Sequence, residues 1–156
     1  MINYQEMKKT VQKKFDDFLG EFAFFAFSDK QFEEGEKKLN AGPDNKLVRI
    51  YGGGFLLASK VEDFKALIKE CDDIQKQYNK DKKQFKQAFM YELANHEYHI
   101  REDVRDTLDA LGIDEEDLKN PEFKKLIKSY IKEYMKNINN YYDKLDNQLK
   151  EVNSWN

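Results

Sequence analysis

From Pro121 to Val152 the apolar residues return every three or four positions, and Asn120-Pro121 stands before them as a helix start. Turned at about 100° per residue, Phe123, Ile127, Tyr130, Ile131, Tyr134, Ile138, Tyr141, Tyr142, Leu145, Leu149 and Val152 fall within about 60° of one line. One long amphipathic helix over residues 121–152 is predicted, and its stripe needs something to cover it. The period of about 3.6 fits packing on a globular body or a partner rather than an extended coiled coil.

The rest of the chain reads as shorter elements. Asn3 with Glu6 forms a capping-box pattern before Tyr4, Met7, Val11, Phe15 and Phe18, a first helix that Gly20 is expected to end. EFAFFAFS is short and aromatic, with Phe22 and Phe24 on one face and Phe25 and Phe27 on the other, and reads as a buried strand. Ser28 and Gln31 open a second helix to about Leu39, stopped by NAGPDN. LVRIY and FLLAS flank Gly52, Gly53 and Gly54 as a hairpin. Ser59 and Glu62 open a third helix that places Cys71 on its apolar stripe; QKQYNKDKKQ either continues it or breaks near Asn79. Phe85, Phe89, Leu93 and Ile100 mark a further helix, and Val104, Leu108 and Leu111 a shorter one stopped by Gly112. The expected fold is α+β and predominantly helical: five to six helices, a small β-hairpin or three-stranded sheet, and the long C-terminal helix. No repeat, linker or composition shift divides residues 1–156, which read as a single domain.

Apolar residues make up 40% of the 156, enough for a core under a heavily charged exterior. The 27 basic and 30 acidic residues are interleaved and leave a net charge of −3, which argues against nucleic acid as a direct ligand and against an acidic DNA mimic. The single cysteine, Cys71, excludes an intramolecular disulfide and fits a reducing compartment. With no apolar leader and no run long enough for a membrane span, the expected location is the cytoplasm.

Three patterns carry chemistry. The triple glycine lacks the Gly-x-x-x-x-Gly-Lys-Ser/Thr of a phosphate loop, so a tight turn accounts for it better. In YELANHEYHI, Glu92, His96 and His99 fall at i, i+4 and i+7, where one helical face could bring them to a metal, with Glu97 as a general base and Asp103 continuing the spacing. The zinc-protease pattern His-Glu-x-x-His is not matched, and His96 also lies near the apolar stripe, where a hydrogen-bonded core imidazole is the plainer account. On the long helix, Lys125, Lys128, Lys132 and Lys136 line one flank and, with Tyr130 and Tyr134, form a candidate partner-binding face; a solvated flank is the alternative. No motif requires a cofactor.

FAFSDKQFEEG, GGGF, YELANHEY and DTLDALG together resemble a family of small uncharacterised proteins encoded by bacteriophages and mobile elements of low-GC bacteria, over about residues 22–113. The family-like positions are Phe27, Ser28, Gln31, Phe32, Gly35, Gly53, Gly54, Tyr91, Glu92, Asn95, His96 and Glu97, and the resemblance leaves the long helix outside. Small phage proteins of this kind include anti-CRISPR proteins. The resemblance therefore implies a non-enzymatic binding protein, a phage-derived inhibitor of a CRISPR nuclease or another bacterial immune effector, in the host cytoplasm. Two alternatives stand beside it: a metal-dependent hydrolase or nuclease using Glu92, His96 and His99, and a structural or accessory phage protein that self-associates through the long helix.

Overall fold

Asn3 caps the first helix as its spacing predicts. Its side chain accepts from Glu6 N at 2.9 Å while Glu6 Oε2 accepts from Asn3 N at 3.1 Å, an arrangement worth about 1 kcal/mol. The helix, α1 (Tyr4–Phe22), does not stop at Gly20. Phe22 gains an edge-on contact with Phe18, ring centres 5.0 Å apart, and lies under the Lys60 ammonium at 4.5 Å. Those contacts, together with buried area, outweigh the roughly 1 kcal/mol that a glycine costs inside a helix. The computed structural model describes residues 2–153.

The strand that follows is shorter than EFAFFAFS promises: β1 is Ala23–Phe25. It pairs antiparallel with β3 (Gly54–Leu57), as does β2 (Leu47–Ile50), giving the order β1-β3-β2 with Phe24 opposite Phe55 and Phe25 opposite Gly54. Between them α2 (Asp29–Leu39) is capped by Ser28 and closed by Asn40 in the left-handed conformation at φ 51°. Gln31 completes no box with Ser28; its Oε1 accepts from Phe27 N at 2.7 Å. Phe24, buried, and the half-buried Phe32 and Phe55 form an aromatic cluster with ring centres 4.9–5.7 Å apart. A Cβ at Gly35 would overlap the Phe24 ring, so only glycine lets α2 approach the sheet this closely.

Helix α3 (Val61–Asn79) carries Cys71, buried as its place on the stripe predicts. The chain breaks at Asn79, and Asp81 caps α4 (Lys82–Asn95) by accepting from Lys83 N and Gln84 N. There α4 ends, five residues before Ile100, because the ladder tightens: Glu97 N donates to Ala94 O, and Glu97 turns left-handed at φ 53°. A single turn, α5 (Tyr98–Arg101), and α6 (Arg105–Ala110) lead through Gly112 to α7 (Pro121–Asn153). The described chain thus has seven α-helices and a three-stranded antiparallel sheet; the extra helix comes from the break after Asn95.

Compact packing divides the chain into two units, Met1–Ile74 and Gln75–Asn156. The boundary falls inside the continuous helix α3, which is why no linker in the sequence announces it. The first unit buries Ala23, Phe24, Leu39 and Leu56; the second buries Phe85, Phe89, Leu93, Leu111, Ile127, Tyr130 and Tyr134. Among the described residues no helix is long and apolar enough to cross a membrane.

Candidate functional site

The histidine cluster lies where α4 ends. Glu92 is fully buried, its Oε2 accepting from Asn95 Nδ2 at 3.1 Å and lying 3.2 Å from His96 Nε2. That imidazole contact is a close approach without hydrogen-bond alignment. The Glu92 carbonyl accepts both His96 N and the buried Thr107 hydroxyl of α6. Glu92 therefore fastens the last turn of α4 to α6.

His99 does not join the cluster. An i, i+4, i+7 face needs one unbroken helix, and the left-handed Glu97 moves His99 onto α5, where Nδ1 lies 3.2 Å from the Tyr134 hydroxyl. Asp103 is held by the Arg105 guanidinium, whose hydrogen bonds keep its carboxyl well below the usual range. Among the described residues no group of three His, Cys, Asp or Glu side chains is placed to hold a metal ion. The geometry uses these residues to tie helix ends together.

The long-helix face divides. Lys125, Lys128, Lys132 and Lys136 are exposed, but Tyr130 and Tyr134 are each only 7% exposed. Tyr130 packs against Phe85 and Phe89, and Tyr134 against Tyr98 and His99. Burial pushes both phenols above their ordinary range. They are core residues, correcting their assignment to a partner-binding surface; a tyrosine on an apolar stripe is buried wherever a second helix covers that stripe. Lys86, which lies over the Tyr130 ring and pairs with Glu133 at 2.8 Å, rims this contact.

The most exposed aromatic surface in the first unit is at the glycine turn. Tyr51 is fully exposed, Phe27 79% and Phe25 46%. Gly52 and Gly53 take φ of 75° and 80°, and Ala26 N donates to Gly53 O at 3.2 Å, drawing the chain after β1 onto the turn. The rings of Phe25 and Phe27 lie on the bare glycine backbone: a Cβ at Gly53 would come 2.9 Å from Phe27 Cε1, and one at Gly54 would meet Phe25 and Ile50. Two phenyl rings thus rest on the turn that Tyr51 opens, with their outer faces in water.

Sequence reading placed Phe25 and Phe27 in a buried strand and overlooked Tyr51. The structure explains why: β1 spans only three residues, so Phe27 lies beyond the sheet, and β3 offers only Gly54 opposite Phe25.

No curated protein and no solved structure matches this chain. A family model described as a family of unknown function (DUF7659) does match, over residues 3–147. That span reaches past the motif-bearing stretch to take in α1 and α7 as far as Asn147. With the match running through both units and nearly the whole chain, the protein belongs to DUF7659, a family of unknown function.

Proposed function

We propose that this is a non-enzymatic binding protein that recognises another protein through the aromatic ledge of Phe25, Phe27 and Tyr51. The observation that carries the reading is a fully exposed tyrosine that opens the glycine turn on which two exposed phenylalanine rings rest. Exposed aromatics lose little conformational entropy on binding when already held in place, and aromatic side chains are the usual anchors of protein interfaces. Within YELANHEYHI, by contrast, the Glu92 carboxylate is held by Asn95 of its own helix, the Glu92 carbonyl by Thr107 of α6, and His99 lies against Tyr134 of α7.

Within that class, the partner we propose is a bacterial immune effector, a CRISPR nuclease among the candidates, met by a phage-derived protein in the host cytoplasm. Its support is the likeness of FAFSDKQFEEG, GGGF, YELANHEY and DTLDALG to phage-encoded proteins, and Phe27, Gly53 and Gly54 of those stretches build the ledge.

The test is affinity capture from a host carrying its native defence systems, with the full chain and a Phe27→Ser, Tyr51→Ser double variant side by side. An effector enriched by the parent and lost with the variant, whose melting temperature is unchanged, supports the reading. Equal capture by both, or enrichment of none, rejects it.

A further inference from the structure

Beyond Ile138 the long helix leaves the body that buried its first half, and every described residue from Asn139 to Val152 is exposed. Its apolar pattern continues nonetheless. Met135, Ile138, Tyr142, Leu145, Leu149 and Val152 alternate steps of three and four, the apolar repeat of a two-helix seam. Straight-helix and heptad periods differ by only about 20° per seven residues, so over this length one stripe satisfies both. Tyr142, Leu145, Leu149 and Val152 are 48, 37, 53 and 50% exposed. Isolated helices of about 14 residues are marginal in water, so the segment gains from being covered.

The chemistry beside the stripe indicates what covers it. The positions flanking the seam are Asn139, Tyr141, Asp146 and Gln148, with a single charge among them, while Asp143, Lys144, Lys150 and Glu151 fall outside. An identical stripe therefore meets no opposed like charges.

We propose that Ile138–Val152 pairs with the same segment of a second copy, antiparallel. In that direction the stripe maps onto itself: Met135 faces Val152, Ile138 faces Leu149, and Tyr142 faces Leu145 of the second copy. A parallel pair is opposed by the body of the second unit, because Ile127 and Tyr134 are buried within about 40° of Ile138 around α7. Two parallel helices would drive their covering helices into one another. Antiparallel, each helix reaches Met135 of the other, where the covered half begins.

The seam is about 22 Å long from Ile138 to Val152, short against the roughly 800 Å² per partner of a standard stable complex. Pairing is therefore reversible. It is independent of the aromatic ledge, so either surface can fail without the other.

Sedimentation velocity of the full chain over a dilution series tests the pairing, with a monomer-to-dimer shift expected as concentration rises. Leu145→Glu with Leu149→Glu, both at exposed positions, should remain monomeric at every concentration with unchanged circular dichroism. A parent that stays monomeric up to several hundred micromolar, about the weak limit for so short a seam, overturns the proposal, as does association that survives the double variant. Direction is read by oxidation: a mixture of Ile138→Cys and Leu149→Cys chains should cross-link to each other, and Leu149→Cys alone should not. Self-linking of Leu149→Cys as efficient as the mixed pair overturns the antiparallel arrangement.

Discussion

Two tyrosine pairs on one helix have opposite fates. Tyr130 and Tyr134 are buried against Phe85, Phe89, Tyr98 and His99, whereas Tyr141 and Tyr142, two and three turns further on, are 62% and 48% exposed. All four are tyrosines on the apolar stripe of one helix, four residues apart in the first pair and adjacent in the second. What differs is whether α4 and α5 lie alongside, and that is a property of chain length and topology, not of α7. A periodic apolar stripe specifies that a face will be covered, without saying by what.

The strongest way to break this comparison is to truncate one member of each pair. Tyr130→Ala should cost about 3–5 kcal/mol, the usual loss for emptying an aromatic core site, measured by urea unfolding of the full chain. A loss below about 1 kcal/mol would mean that Tyr130 is not core in solution.

The same logic carries to the first unit, where Phe24 is buried and Phe27 exposed. Gly35→Ala places a methyl against the Phe24 ring and should cost about 1–3 kcal/mol through overpacking. A neutral Gly35→Ala in thermal melts would show that α2 can lift from the sheet without loss.

Smaller again is Tyr134→Phe. Removing the hydroxyl beside His99 Nδ1 should cost about 1 kcal/mol, detectable as a lower urea midpoint with an unchanged slope. The phenol also sets a pH dependence. Because burial raises the folded-state pKa of Tyr130 and Tyr134, the folded protein keeps protons that the unfolded chain loses above about pH 10. Their stabilisation is complete below that pH and falls as pH rises through the folded values. Tyr130→Phe with Tyr134→Phe should flatten the alkaline decline; an unaltered decline would place its origin elsewhere. The smallest effect belongs to Tyr142→Ala, expected within about 0.5 kcal/mol of the parent.

Much of the fold was legible because local chemistry decided it. Asn3 and Ser28 cap the helices they precede, Asn40 lies in the loop that ends α2, and Pro121 starts α7. The glycines do mark the turn between β2 and β3, although it is the short 3-10 segment Tyr51–Gly53, with Gly52 and Gly53 at positive φ and Gly54 already in β3. Gly20 misled because a helical glycine is an inexpensive fault, reversed here by Phe22. The break after Asn95 misled for a different reason: it depends on Glu92 being buried and Thr107 of α6 reaching its carbonyl, a contact fifteen residues away along the chain. With that break the proposed ligand set of Glu92, His96 and His99 separates. The ledge was hidden because aromatic density is the same signal whether a sheet has three residues per strand or eight.

The glycine turn also has a consequence for how this surface can change over time. Gly53 is held by its φ and by the Phe27 ring, Gly54 by Ile50 and Phe25, and Gly52 by its φ alone. Replacing Gly53 or Gly54 disturbs a ring that depends on it, and replacing Gly52 strains the turn itself, so Phe25, Phe27 and the turn must vary together or not at all. Tyr51, fully exposed, is under no such restraint. If lineages of this family diverge in what they recognise, position 51 is where one nucleotide change can alter the contact without disturbing the fold, while the platform beneath it stays fixed.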